Sequence, residues 1–163
     1  MHTPLGSSHE WKDVGRQTPA KGVFPTFDGE TLLFCTVCAD ERGVGWCATG
    51  EVMHALSAVW SRPTMRWLVG DFLLMPDHLH FFCAPAAGDW TEVERWTSFW
   101  KNEWQKEVPR KFKWQRGLFH HRLRSEREFQ DKAAYMFQNP VRARLVRDAS
   151  EWPWQGRVHD LRW

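Results

Sequence analysis

The order in which strand-like and helix-like patterns alternate is the feature that most constrains how this chain can fold. Apolar, β-branched and aromatic segments at residues 31–39, 66–75, 78–84 and 118–124 predict four strands. Residues with helical spacing follow the first, third and fourth of them, at residues 52–60, at 91–107 and after 125. The order βαββαβα predicts an α+β, ferredoxin-like fold, in which helices pack on one face of a mainly antiparallel sheet and the C-terminal helix carries Tyr135.

Polar residues and prolines mark where the predicted helices begin and end. Thr91 with Glu94, and Ser125 with Glu128, have the spacing of a capping box, in which each partner satisfies a free backbone N–H of the first helical turn. Pro109 closes the helix that begins near Thr91, because proline cannot continue a helix from within. Two of the three helices therefore have predicted N-termini.

The length of 163 residues fits one domain. We expect a flexible segment at residues 1–21, a folded domain at 22–155 and a short tail at 156–163. No apolar run approaches the ~18 residues of a membrane span, and the N-terminal residues contain no apolar core of a secretory signal. These features predict a cytoplasmic protein.

The four cysteines offer a possible zinc site, since Cys35 and Cys38 have the C-x2-C spacing. Both lie in a predicted strand, however, where residues three apart point to opposite faces. The remainder of a zinc motif is missing. We therefore predict that Cys35, Cys38, Cys47 and Cys83 are reduced and buried in the core.

Charge is distributed unevenly along the chain. Between Lys101 and Arg147 there are 13 Lys and Arg against 5 Asp and Glu, a net charge of +8, whereas the remainder has 9 against 15, a net charge of −6. A solvated helix face explains many such runs. This one is interleaved with aromatic residues, a mixture that suits phosphate pairing and base stacking and so favours a nucleic-acid partner. The aromatic residues are Trp100, Trp104, Phe112, Trp114 and Phe119.

His78 and His80 form an H-x-H pair in a predicted strand. Residues two apart in a strand share a face, so both imidazoles point the same way, while the apolar Leu79 and Phe81 point into the core. Two adjacent imidazoles can hold a metal ion. The alternative is a pair of histidines that are only hydrogen-bonded.

Tyr135 is the only tyrosine in the chain and lies away from the apolar stripe of its helix, so packing does not explain it. Asn139, one turn later on the same side, can add an oxygen ligand to a metal held by the histidines. Asn139 also precedes Pro140, a pair that suits the N-cap and first position of a new helix. The sequence leaves both roles of Asn139 open.

Three segments resemble one family. Residues 75–82 (MPDHLHFF) resemble the HUH segment of REP-associated tyrosine transposases, the single-tyrosine group of HUH endonucleases. Residues 135–146 (YMFQNPVRARLV) resemble their tyrosine helix, and residues 151–154 (EWPW) resemble the aromatic segment that follows it. The resemblance covers residues 22–155. The chain departs from the usual pattern at Asp77, where Asn or Glu is expected, and at Arg144, where glycine is common.

The resemblance implies a metal-dependent, single-strand DNA endonuclease and strand transferase. In such an enzyme, Mg²⁺ or Mn²⁺ would be held by His78, His80 and either Asn139 or water. Tyr135 would attack the scissile phosphate to form a 5′-phosphotyrosine and a free 3′-hydroxyl. The implied substrate is hairpin-forming, repeated palindromic DNA, the enzyme acting as a monomer or homodimer at the nucleoid. For backbone contacts we consider Lys101, Lys106, Arg122, Arg124, Arg142 and Arg144, and for base stacking Trp100 or Trp114.

Two other functions fit parts of the same pattern. A non-catalytic module could bind hairpin nucleic acid with the basic half while the histidines play no chemical role. A zinc hydrolase could use His78, His80 and either a cysteine or His120 or His121. Metal dependence and a covalent protein–DNA adduct distinguish these alternatives from the transferase.

Overall fold

The structure, a computed structural model, describes residues 25–26, 29–43, 45–86, 89 and 91–161. The predicted flexible segment at residues 1–21 lies outside them. Strands β1 (Pro25–Thr26) and β2 (Gly29–Glu30) form a small antiparallel pair.

The main sheet has five strands in the order β6-β3-β5-β4-β7, and every neighbouring pair is antiparallel. Its strands are β3 (Leu33–Cys38), β4 (Trp67–Met75), β5 (His78–Pro85), β6 (Phe119–Arg122) and β7 (Gln155–Arg157). The first four occupy the positions expected of a βαββαβ chain, in which a helix separates β3 from β4 and another separates β5 from β6. The predicted ferredoxin-like fold is confirmed.

Among the described residues, three α-helices cover the sheet: α1 (Gly50–Trp60), α2 (Val93–Gln105) and α3 (Glu126–Arg142). Ser125 caps α3 as predicted, since its side chain accepts a hydrogen bond from the backbone N–H of Glu128 at 3.1 Å. The predicted capping box at Thr91 is wrong. Glu92 is the N-cap of α2, because Thr91 is held outside the helix by hydrogen bonds to Trp67 and Asp89.

The helices lie on both faces of the sheet, which corrects the expectation that they share one face. Helices α1 and α2 pack on the face that carries Cys35 and Phe81, whereas α3 packs on the face that carries Phe34 and Phe82. Strands β3 and β5 carry apolar side chains on both faces of the sheet, so both faces must be buried by helices. The stripe that α3 provides is Phe129, Ala133, Met136 and Phe137.

Tryptophan fills the core between α2 and the sheet. Trp96, Trp100 and Trp104 recur every four residues on one side of α2 and are at most 1% exposed. Phe112 and Trp114 are partly buried against the same cluster. The prediction that Trp100 stacks on a base is therefore wrong, because the indoles interleaved with basic residues pack inwards while the charged side chains face solvent.

The domain extends beyond the predicted boundary at residue 155. Strand β7 pairs with β4, the buried Asp71 accepts a hydrogen bond from Arg157 at 2.8 Å, and Leu161 is 4% exposed. Strand β7 approaches so closely that a Cβ on Gly156 would lie 2.9 Å from the ring of Phe72. The described part of the predicted tail therefore belongs to the domain. A strand of three residues containing glycine has no apolar alternation to reveal it.

The four cysteines are free and buried, as predicted. In the described part of the chain, no helix combines the length and apolar character needed to cross a bilayer.

Candidate active site

Strand β5 and helix α3 bring the two histidines and the tyrosine together. The His78 and His80 rings lie 4.8 Å apart between centres and are nearly perpendicular, at 80°. The Tyr135 ring lies 6.4 Å from that of His80. All three belong to one chain and one face of the sheet, the face that α3 covers.

His80 is fixed from two sides and remains uncharged. Its Nδ1 is 2.8 Å from Oγ1 of Thr36, the residue opposite it on β3, and its ring stacks on Phe34 at 5.3 Å. Burial lowers the pKa of His80 to about 3, and the positive charges of His78, Arg142 and Lys132 act in the same direction. At neutral pH the ring therefore keeps a nitrogen lone pair that can bind a metal.

His78 is fixed by Asp77, the residue at which the chain departs from the usual family pattern. Its Nδ1 is 2.9 Å from Asp77 Oδ1. Burial opposes ionisation of Asp77, but hydrogen bonds from His78 and the Gly43 backbone N–H, with the Arg42 charge, lower its pKa overall. The carboxylate thus orients His78 and leaves Nε2 as its second nitrogen.

Tyr135 has no role in the core, as its helical position predicts, and 51% of it is exposed. The Arg142 guanidinium lies 4.1 Å from the centre of its ring and donates a hydrogen bond to its backbone carbonyl at 2.6 Å. Lys132 Nζ lies 5.8 Å from the same ring. The phenol is thus both accessible to solvent and flanked by two cations.

The chain is similar to known transposases in sequence and fold. No protein-family model matches the chain. The chain is 24% identical over 93 residues to the REP-associated tyrosine transposase of Escherichia coli (strain K12). The aligned region covers 57% of this chain and 56% of the relative. It therefore spans about half the length of that curated relative. A solved REP-associated tyrosine transposase bound to a REP hairpin matches with a TM-score of 0.63, at 24% identity, over 86% of this chain and 79% of the other.

This chain has the fold of a REP-associated tyrosine transposase. The resemblance to these transposases is thereby confirmed.

The residues present fit a divalent cation. Asn139 Nδ2 lies 3.5 Å from His78 Nε2, so the amide group is next to the nitrogen that Asp77 leaves free. Rotation of this amide would present its oxygen, a ligand type that Mg²⁺ and Mn²⁺ favour. Helix α3 continues through Pro140 without a break, so the predicted N-cap role of Asn139 is wrong and its side chain is available.

A zinc site with a third histidine or a cysteine receives no support from the described residues. Among them, no group of three or more His, Cys, Asp and Glu side chains could hold a metal. His120 and His121 lie on β6, where they contact Glu94 and Glu128, respectively. The edge strand thus keeps them apart from the H-x-H pair.

The six predicted DNA contacts lie on or next to different elements of the fold. Arg142 lies in the active site, and Arg122 and Arg124 lie on β6 and just after it. Lys106 pairs with Glu103 at the end of α2. Lys101 donates hydrogen bonds to the Gln115 and Gly117 carbonyls, and burial lowers its pKa to about 8, so it tethers a loop.

Arg144 ends α3 in the left-handed conformation, with φ of 58°. Its N–H donates to the Val141 carbonyl, and the Leu145 N–H donates to that of Pro140, both at 2.9 Å. This is the Schellman arrangement, whose left-handed position glycine fills most often. The geometry would suit glycine at this position, and arginine is accommodated there with some backbone strain.

Three residues of the site were missed by the sequence analysis. Thr36 was detectable as the one polar residue in the apolar run of β3, but only the strand register shows that it contacts His80. Phe34 gave no signal beyond a strand pattern. Lys132 lies three residues before Tyr135 and so on the same side of α3. This spacing was a detectable signal, but Lys132 was counted only as one of the basic residues between Lys101 and Arg147.

Proposed function

We propose that this protein is a metal-dependent, single-strand DNA endonuclease and strand transferase that acts on hairpin-forming repeat DNA through a 5′-phosphotyrosine. The observation that carries the proposal is the placement of a half-exposed tyrosine 6.4 Å from one of two adjacent histidines. One chain supplies all three side chains, so a single protomer can carry a complete site.

The surroundings of these side chains favour chemistry over a purely structural role. A structural histidine needs only a hydrogen bond, yet both rings here are bonded through Nδ1 and keep Nε2 as a second nitrogen. A ligand held by such an outer partner has a fixed tautomer and orientation. His80, which is held neutral, is already in the state that binds a metal.

His78, His80 and Asn139 are the residues that would hold Mg²⁺ or Mn²⁺. When bound, the cation supplies Lewis-acid polarisation of a non-bridging phosphate oxygen, which a phenol nucleophile needs because its ordinary pKa is ~10. Lys132 and Arg142 add positive charge beside Tyr135 and so attract the phosphate to the nucleophile. Asp77 and Thr36 maintain the histidine orientations throughout.

The reaction exchanges one phosphate ester for another. The Tyr135 oxygen forms a bond to phosphorus while the bond to the 3′ oxygen breaks, which leaves a 5′-phosphotyrosine and a 3′-hydroxyl. The phenol loses one proton and the 3′ oxygen gains one. Water can carry the proton, since Tyr135 is 51% exposed. A second 3′-hydroxyl reverses the exchange, so strands are joined without ATP.

The proposed substrate follows from the comparisons and from charge. The solved transposase with the same fold is bound to a REP hairpin. In this chain, the net charge of +8 between Lys101 and Arg147 suits a polyanion. We propose hairpin DNA with single-stranded flanks as the substrate and the nucleoid as the location of the protein.

An assay for a covalent protein–DNA adduct on labelled, single-stranded oligonucleotides tests the proposal. Wild-type protein should form an adduct that withstands denaturing electrophoresis, whereas Tyr135→Phe should form none. The variant keeps the ring, so its affinity for hairpin DNA should stay within about twofold. Tyr135 is the only tyrosine, so no second phenol can replace it. Undiminished cleavage by Tyr135→Phe would refute the role of Tyr135 as the nucleophile.

The same assay with EDTA, Mg²⁺ or Mn²⁺ tests the metal. His78→Ala and His80→Ala should abolish metal-stimulated adduct formation, and Asn139→Ala should reduce it less, because water can replace one oxygen ligand. Adduct formation that is unaffected by EDTA would exclude the metal from the reaction. Hairpin binding without any adduct, in either metal, would instead identify a non-catalytic binding module.

A further inference from the structure

Phe119 is the most exposed large hydrophobic side chain among the described residues, with 71% of it open to solvent. Single exposed rings are common on protein surfaces, so exposure alone indicates nothing about function. The location of Phe119 does suggest a function, because β6 forms the edge of the sheet beside β3, the strand that orients His80.

Strand register places Phe119 in the same cross-strand row as His80. Thr36 lies between them on β3, since it pairs with Phe119 on one side and with His80 on the other. Neighbouring strands are ~4.8 Å apart, so roughly 10 Å separates the backbone positions of Phe119 and His80. The exposed ring is thus two strands from the active site.

The ring of Phe119 lies on the face of the sheet that carries the active site. Side chains alternate along a strand, and the next two residues of β6 show which face is which. His120 contacts Glu94 of α2, whereas His121 contacts Glu128 of α3. Phe119, two residues before His121, therefore projects on the side of α3.

A positive charge lies close to both the nucleophile and this edge of the sheet. Lys132 Nζ is 5.8 Å from the centre of the Tyr135 ring and 5.7 Å from that of Phe34, which pairs with His121 of β6. The nearby Glu128 carboxylate is engaged by His121 and by a backbone N–H. A DNA strand running from Tyr135 towards β6 would meet an ammonium group and then an exposed aromatic ring.

We propose that Phe119 is a stacking platform for an unpaired base of the DNA strand that Tyr135 cleaves, an inference that rests on the function proposed above. An aromatic side chain stacks on any base, so it holds the strand without reading its sequence. At the stacked rise of ~3.4 Å per nucleotide, 10 Å corresponds to about three nucleotides. The stacked base therefore lies within about three nucleotides of the attacked phosphate.

The experiment first locates the cleavage site with wild-type protein and then measures binding in Tyr135→Phe protein, which cannot cut. Oligonucleotides carry 2-aminopurine, whose fluorescence falls when it stacks, at each position within about three nucleotides of that site. Phe119→Ala and Phe119→Trp are added to Tyr135→Phe. Phe99→Ala is the matched control, because Phe99 is 43% exposed but lies on α2, which covers the opposite face.

One 2-aminopurine position should be quenched by the parent, released by Phe119→Ala and quenched again by Phe119→Trp. Phe119→Ala should weaken binding roughly 5- to 150-fold, the range for loss of one stacked base, with an unchanged melting temperature. Phe99→Ala should change neither quantity. If Phe119→Ala leaves quenching unchanged while wild-type protein cleaves, the platform is refuted and the proposed function stands. If wild-type protein forms no adduct, the proposed function fails and the platform with it.

Discussion

His80 predicts a loss of stability at mildly acidic pH, above the range in which carboxylates titrate. Burial, with the charges of His78, Arg142 and Lys132, lowers the pKa of His80 to about 3 in the folded protein, whereas a free histidine titrates at ~6.5. Between these values the unfolded chain binds a proton on His80 that the folded chain does not bind. The free energy of unfolding is therefore maintained above about pH 6.5 and falls as the pH is lowered towards the folded-state pKa.

The size of this effect follows from the separation of the two pKa values. The slope approaches about 1.4 kcal/mol per pH unit once the unfolded histidine is fully protonated. Between about pH 7.5 and pH 5 the loss integrates to roughly 2 kcal/mol, while aspartate and glutamate, with ordinary pKa values of ~3.9 and ~4.3, stay largely ionised. Since small domains are stable by only ~5–15 kcal/mol, such a loss is measurable.

Urea unfolding in EDTA, followed by the fluorescence of the buried tryptophans, measures this dependence. His80→Gln should remove the loss of roughly 2 kcal/mol between about pH 7.5 and pH 5, whatever its effect on stability at neutral pH. His54→Gln is the matched control, because His54 is exposed on α1, and it should keep the wild-type dependence. If the free energy of unfolding depends on pH in the same way in wild-type protein and His80→Gln, the assignment of this dependence to His80 is refuted.

Two further predictions test the outer parts of the site. Thr36→Val removes the hydrogen-bond partner of His80 and should weaken Mn²⁺ binding about 10- to 100-fold, measured by titration, whereas Thr36→Ser should restore it. Equal Mn²⁺ affinities for wild-type protein and both variants would exclude a role of the Thr36 hydroxyl in metal binding. Replacing Arg122 and Arg124 together with Ala should flatten the slope of log affinity for hairpin DNA against log salt by up to about two, since each phosphate contact contributes ~0.7–0.9. Arg110→Ala with Lys111→Ala removes the same charge beyond α2 and should leave the slope unchanged; an equal change in both double variants would indicate a general charge effect.

Local sequence patterns were sufficient for much of the candidate site. Strand periodicity alone puts His78 and His80 on one face of β5, because alternation is a property of any extended backbone. Helical periodicity alone removes Tyr135 from the apolar stripe of α3, and its exposure agrees. Ser125 and Glu128 mark the start of α3 because capping involves neighbouring residues only.

Contacts between distant segments were decided only by the tertiary structure. Register between β3 and β5 brings Thr36 to His80, and a slip of one residue, invisible in either strand alone, would remove that contact. The basic, tryptophan-rich pattern predicted base stacking by Trp100 or Trp114, but packing buried Trp100, partly buried Trp114 and left Phe119 exposed at the sheet edge. A sequence shows which side chains share a face of their own element, whereas the partner that covers that face depends on how the whole chain buries its apolar surface.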